Sequence, residues 1–405
     1  MMPQALMQMK ITNMETNDMV EWKKLGEVFE TRNGYTPSTK DDGFWVGGTI
    51  PWFKMDDIRD CGTILSDSKL HVTEKAIKGK GLFKANSIIL ATSATIGEHA
   101  LITIEHLCNQ RFTNFYPKEG FAKSINMKYI YYYMFLVDKW CQQHTHQGGF
   151  ASVDMDGLYK LPIPIPSLSE QTRIVGILDT FAASIENLKQ QIAQRRKQYE
   201  HYRDQLLDLE GKEGVVMKTL GEVGTFIRGS GIQKNDFVDE GFGCIHYGQI
   251  HTKFGLSATE TVSKISDSLY KKSKKAVKGD VVLATTSEDA EGVAKPVAWL
   301  GDESIAVSGD AYIFHHDQNG KFMAYQFASH RFRLFKIAHA TGAKVVRISG
   351  DSMAKFAFPL PSIDEQQRIV SILDTFEASI ANLEQQLAQR ERQYEYYRNK
   401  LLTFE

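Results

Sequence analysis

The sequence predicts a mixed α/β, or α+β, chain: two globular domains separated by two long antiparallel coiled-coil helices, arranged as a pseudo-twofold internal repeat. Three observations carry this. Residues 166–210 (PSLSEQTRIVGILDTFAASIENLKQQIAQRRKQYEHYRDQLLDLE) return without a gap at 361–405 (PSIDEQQRIVSILDTFEASIANLEQQLAQRERQYEYYRNKLLTFE), an offset of 195 residues, and roughly two-thirds of the positions are identical. Within each copy the apolar residues alternate steps of four and three, the heptad spacing of a coiled coil. Between the copies, residues 20–165 and 217–360 diverge, with only short echoes. So long a repeat is a domain in its own right and not a solenoid unit.

The chain reads in order as an N-terminal extension (1–19), a first domain (20–165), a central helix (166–210), a linker (211–216), a second domain (217–360) and a C-terminal helix (361–405). Both domains open on the same tetrapeptide, Leu25–Val28 and Leu220–Val223 (LGEV), again 195 residues apart. Short β-rich runs follow, among them Ser87–Ala91, Asp280–Ala284 and Ala311–Phe314, with Ile88–Ser93 echoed by Val281–Thr286. An aromatic-rich helical stretch closes each domain, Met127–Cys141 and Lys321–Ile337. Pro162, Pro164 and Pro166, and later Pro359 and Pro361, keep the chain extended before each long helix. Ser167 with Glu170, and Ser362 with Glu365, have capping-box spacing.

The coiled-coil seam is Ile174, Leu178, Phe181, Ile185, Leu188, Ile192 and Tyr199 in the first helix, running on to Tyr202, Leu206 and Leu209. In the second it is Ile369, Leu373, Phe376, Ile380, Leu383, Leu387 and Tyr394, then Tyr397, Leu401 and Phe404. Arg195 and Arg390 interrupt it, either as polar register markers or as stems lying along the seam with their heads in water. A helix of this length reaches about 60 Å. The economical pairing is intramolecular and antiparallel, and a homodimeric coil is the alternative.

Composition narrows the function. Of 405 residues 42% are hydrophobic and 24% charged, ordinary for a globular chain. Lys+Arg 48 against Asp+Glu 49 gives a net charge of −1, so nucleic acid is not held by bulk positive charge and binding depends on local patches. No apolar run has the length of a membrane span, and the first residues lack an apolar signal-peptide core. Met1, Met2, Met7, Met9, Met14 and Met19 are all candidate starts. The four cysteines are far apart, as expected of reduced thiols in a cytoplasmic protein.

The loops are rich in groups that read base edges or hold phosphate. Candidates in the first domain are Arg32, Tyr35, Lys54, Arg59, Thr92, Ser93, Gln110, Arg111, His146 and Gln147. Those in the second are Arg228, Gln233, Lys234, Tyr247, Gln249, His251, Thr286, Ser287, Lys344 and Arg347. Singly, each is more often a solvated loop residue. The cluster Lys271-Lys-Ser-Lys-Lys275 can track a phosphate backbone. Catalytic motifs are missing: there is no phosphate-binding GxxxxGK[ST] loop, no GxGxxG after a strand and no Asn-Pro dipeptide. His144/His146 and His315/His316 lack further ligands at metal spacing. Glu288, Asp289, Glu291 and Lys295 only faintly resemble a nuclease centre. A self-contained nuclease with an unrecognised metal site, and a homodimeric coiled-coil interaction protein with no DNA role, are therefore the weaker alternatives to a non-catalytic binding and scaffold subunit.

The chain resembles the specificity subunits of type I restriction–modification systems over essentially its full length. The resemblance rests on the duplicated QxRIVxILDTF helices (Gln171–Phe181, Gln366–Phe376), their RQYEYYR-like ends (Lys197–Arg203, Arg392–Arg398) and the LGEV openings. Gly48–Ile58 (GTIPWFKMDDI), Ala91–Gly97 (ATSATIG) and Asn109–Phe112 (NQRF) add to it. The second domain departs, with Ser308-Gly-Asp310 standing for Asn109-Gln-Arg111 and Thr285-Thr-Ser-Glu288 for Thr92-Ser-Ala-Thr95. The resemblance implies two target-recognition domains, each reading half of a bipartite double-stranded DNA site, with the coiled coil setting the unread spacer. It implies two methyltransferase subunits and ATP-dependent restriction subunits as partners. S-adenosylmethionine, ATP and Mg2+ would be used by those partners, and no cofactor or metal would be bound by this chain.

Overall fold

The computed structural model describes residues 20–146, 151–342 and 345–404. The extension 1–19 and the candidates Gln147 and Lys344 lie outside the described residues. The chain divides into two compact units, Met1–Asn187 with Leu387–Glu405, and Leu188–Gln386. Each unit thus holds one globular domain, the beginning of the long helix that follows it and the end of the other long helix.

In the first unit the main sheet has five strands in the order Phe29–Asn33, Phe112–Pro117, Ser87–Ala91, His99–Ile102 and Ile64–Leu65. All neighbours are antiparallel except the last pair. The central strand Ser87–Ala91 is buried throughout, because both its faces are covered. Ile88 and Leu90 point into the core shared with the helix Met127–Gln143. Ile89 and Ala91 point the other way, into a core closed by a smaller sheet of His71–Val72, Ile50–Phe53 and Leu107–Cys108.

The second unit repeats this topology on a different sequence. Its main sheet runs Gly224–Arg228, Ala311–His316, Val281–Ala284, Lys295–Trp299 and Ser257–Ala258, again with only the last pair parallel. Val281 and Leu283 face one core and Val282 and Ala284 the other. The smaller sheet keeps its central trio, Ser263–Ile265, Phe242–Ile245 and Ile305–Val307, and gains the edge strands Phe237–Val238 and Lys275–Ala276. The late helix differs from the single stretch expected at Lys321–Ile337. It is two helices, Gly320–Ala328 and His330–His339. Ser329 between them is extended (φ −69°, ψ 155°) and its hydroxyl accepts from the Phe332 amide. The apolar pattern continues across the break, with Phe327 and Phe332 both buried, so periodicity alone hides it.

The long helices span Leu168–Leu207 and Ile363–Thr403. Their first turns belong to the domain cores: Ile174, Leu178 and Phe181 are buried in one, Ile369 and Leu373 in the other. Ile192 is also buried, and Ile185, Leu188, Tyr199, Phe376, Ile380, Leu383, Leu387 and Tyr394 are half-buried along the seam. In the second unit Arg196 pairs with Glu384, the Tyr199 hydroxyl donates to Glu377, and Tyr202 stacks on Phe376. Rising numbers on one helix meet falling numbers on the other, so the pairing is antiparallel and intramolecular. In the first unit Phe181 lies 5.5 Å from Tyr397 and under the Arg390 guanidinium, so Arg390 lies along apolar surface.

Candidate nucleic-acid interface

Each domain is fixed to its helix by nearly the same set of bonds. The Gln171 side chain is fully buried; its Oε1 accepts from the Asn126 amide (2.8 Å) and its Nε2 donates to the carbonyls of Ser124 and Pro166. Gln366 likewise accepts from the Asn319 amide (3.1 Å) and donates to the Gln318 side chain and the Pro361 carbonyl. About two turns further on, Asp179 accepts from Lys128 and the Tyr132 hydroxyl, and Asp374 from Lys321 and the Tyr325 hydroxyl. Asn126 and Asn319 cap the late helices. The domain side of this lock is Asn-x-Lys-x-x-x-Tyr in both halves (Asn126, Lys128, Tyr132; Asn319, Lys321, Tyr325). These polar identities, off the seam and repeated in otherwise diverged domains, were the signal that heptad reading passes over.

At the strand ends of each sheet a corner forms with a shared backbone. In the first domain Gly34 N donates to Phe112 O, Tyr35 N to Cys108 O, Asn109 N to Phe53 O and Thr92 N to Arg111 O, all within 2.8–3.0 Å. In the second, Gly229 N donates to Ala311 O, Ser230 N to Val307 O, Ser308 N to Ile245 O and Thr285 N to Asp310 O at the same lengths. The glycines are required by close approach: a Cβ on Gly34 would stand 2.1 Å from the Asn109 carbonyl oxygen, and one on Gly229 2.1 Å from that of Ser308. These bonds set Asn109-Gln-Arg111 opposite Ser308-Gly-Asp310 in register, and Thr92 opposite Thr285, as the sequence comparison aligned them.

The first corner gathers Tyr35, Lys54, Thr92, Ser93, Gln110 and Arg111. Thr36 donates to the Gln110 side-chain oxygen, and the Thr92 hydroxyl meets Thr113. Arg111 is exposed, and its guanidinium makes no hydrogen bond or ion pair among the described residues. His146 joins through the strand pair Thr145–His146 with Ser152–Val153, since Ser152 bridges Ser93. Lys54 is paired with Asp56, and Arg59, on the helix Met55–Cys61, with Glu98, which raises the pKa of Arg59. Arg32 is not part of the corner. Its guanidinium donates to the carbonyls of Lys80 and Gly81 and lies 3.7 Å over Phe83, and burial lowers its pKa. His106, stacked on Phe83 and edge-on to Phe53, is wholly buried, and desolvation pushes its pKa down to about 4.

The second corner gathers Arg228, Tyr247, Thr286 and Ser287. Arg228 donates to the Gly309 carbonyl and faces Asp310 at 3.8 Å. The Tyr247 amide donates to Ser308. Thr286 pairs with Arg347 in a short antiparallel ribbon, and the His251 ring bonds the Thr286 carbonyl (3.0 Å). The Thr286 hydroxyl is buried without a partner among the described residues. Gln233 and Lys234 sit on an exposed turn, and burial, followed by the Lys234 charge, lowers the pKa of His246. Gln249 is engaged internally: it accepts from the His246 amide and donates to Ser263. Asp57 caps the equivalent turn of the first domain by accepting from the Lys54 amide. His246, a loop residue of the same kind by sequence, lies against Tyr247, and Asp310, the sequence counterpart of Arg111, faces Arg228.

The suspected acidic centre is used otherwise. Glu291 holds Arg333, Asp289 accepts from the Gly292 amide, and Lys295 donates to the carbonyls of His251 and Phe254. Among the described residues no group of three or more His, Cys, Asp or Glu is placed to hold a metal ion, and no helix is long and apolar enough to cross a membrane.

Two copies of one recognition-type domain, each locked to a long helix by one bond set, define a duplicated scaffold protein. The family model described as the type I restriction modification DNA specificity domain matches residues 17–195 and again 212–392. The chain belongs to this family and is a type I restriction–modification specificity subunit, the non-catalytic component of such systems. It is 46% identical over 236 residues to the EcoprrI specificity subunit of Escherichia coli, a match covering 54% of this chain and 58% of that relative. It is 30% identical to the EcoR124I/EcoR124II specificity subunit of the same species, over 69% of this chain and 71% of the relative. The fold is shared with a chain from a structure on complex assembly and conformational transition of the type I system (TM-score 0.65, 18% identity, 95% and 98% coverage).

Proposed function

We propose that each domain reads one half of a bipartite double-stranded DNA site through its strand-end corner, and that the paired helices fix the unread spacer and dock the methyltransferase subunits. Restriction subunits would join through those methyltransferases. S-adenosylmethionine, ATP and Mg2+ belong to the partners' chemistry, which includes transfer of a methyl group to adenine N6. The observation that carries this reading is the contrast between a repeated helix lock and corners with one backbone and different side chains. Independent readout of two unlike half-sites asks for that combination, because hydrogen bonds and apolar contacts to base edges specify sequence. Half-sites on one face of DNA lie about 34 Å apart, within the reach of helices about 60 Å long.

The test is co-expression with the cognate methyltransferase in a host free of adenine methylation, followed by mapping of modified adenines. A split motif of two short halves around a fixed gap is expected. An unbroken motif, or no modified adenine from a soluble complex, would contradict the reading.

A further inference from the structure

We infer that each domain grips the phosphate backbone of duplex DNA with one lysine-rich segment, residues 75–84 in the first domain and 271–278 in the second. This rests on the proposed role of the domains in DNA recognition and names the surface that supplies affinity in place of sequence.

The two segments occupy the same place in the fold. The first lies between the strands His71–Val72 and Ser87–Ala91, and its Phe83 bridges His106 antiparallel. The second lies between Ser263–Ile265 and Val281–Ala284, and its Ala276 pairs with Ile305 antiparallel. Three residues beyond those pairings both chains turn through positive φ, at Asn86 (54°) and Gly279 (99°). In this register the sequences share little, yet one carries Lys75, Lys78, Lys80 and Lys84 and the other Lys271, Lys272, Lys274, Lys275 and Lys278.

Asp41 pairs with Lys75, Asp267 with Lys271 and Asp302 with Lys278. The remaining six lysines have no carboxylate within ion-pair distance among the described residues. All are exposed except the half-buried Lys275. Three have the ammonium over an aromatic ring, Lys78 over Tyr35 (4.2 Å), Lys84 over Tyr116 (4.0 Å) and Lys275 over Tyr270 (4.8 Å), which positions the charge without neutralising it. In a chain of net charge −1, two matching groups of three unneutralised lysines form the local positive surface that a polyanion requires. Both adjoin the corners: Lys78 covers Tyr35, and the Lys274 amide donates to the Ser230 hydroxyl. Phosphates flanking a groove read at the corner would therefore meet these lysines.

The test substitutes Lys78→Gln, Lys80→Gln and Lys84→Gln together, and separately Lys272→Gln, Lys274→Gln and Lys275→Gln, in the full chain assembled with its methyltransferase. Each complex is titrated across salt concentrations with a duplex carrying the mapped site and with one whose site is scrambled. Each triple variant should bind both duplexes about tenfold or more weakly, with the slope of log affinity against log salt smaller by about two to three, and should methylate the same motif. Unchanged affinity and slope would overturn the inference. So would weakened assembly with the methyltransferase and intact DNA binding by the assembled complex, which would assign the lysines to an acidic protein surface. Loss of site preference in the unsubstituted complex would instead strike at the recognition role, while the scrambled duplex would still report on the lysines.

Discussion

Where each domain meets its long helix the two units repeat one another in all but one bond, the glutamine's donation to Ser124 O in one and to the Gln318 side chain in the other, whereas at the strand-end corners they keep the backbone and change the side chains. Gln171 and Gln366, or Asp179 and Asp374, do the same work on matching partners. At the corners, Arg111 stands opposite Asp310, Gln110 opposite Gly309 and Lys54 opposite His246, on hydrogen bonds of equal length. A backbone corner fixed by four such bonds and one close-packed glycine can carry different side chains without refolding. The helix lock leaves less freedom, because its two glutamines are buried and need their partners.

The largest effect should come from the lock. Gln171→Ala would leave the Asn126 amide and the Ser124 and Pro166 carbonyls without their partner, at about 3 kcal/mol. Hydrogen exchange should show protection lost in the first unit with the second unchanged, and Gln366→Ala should do the reverse. Equal loss in both units from either change would show that the two locks are not independent.

A smaller change in stability but a sharper one in recognition is expected at the corner. Arg111→Ala removes an exposed side chain and should move the melting free energy by no more than about 0.5 kcal/mol. It should relax base preference at a position in one half-site, by about 1–3 kcal/mol of discrimination. Asp310→Ala should act on the other half. A change in both halves from one substitution would break the distinction between corners.

Much of this was legible in the sequence because it is local or duplicated. The repeat, the seam and the opposition of Asn109-Gln-Arg111 to Ser308-Gly-Asp310 follow from aligned strings. What escaped depends on pairings distant along the chain. Arg32 has the composition of a DNA-reading loop residue, but the carbonyls that take its guanidinium are those of Lys80 and Gly81. Gln249 resembles an adenine reader and is a turn cap bonded to Ser263. The break at Ser329 was masked by apolar residues that stay in phase across it.

The most direct test of the central claim is exchange of residues 217–360 for the corresponding domain of another specificity subunit, with modified adenines mapped before and after. The account predicts that one half of the motif changes while the other half and the gap remain. Alteration of both halves, or of the gap, would contradict it.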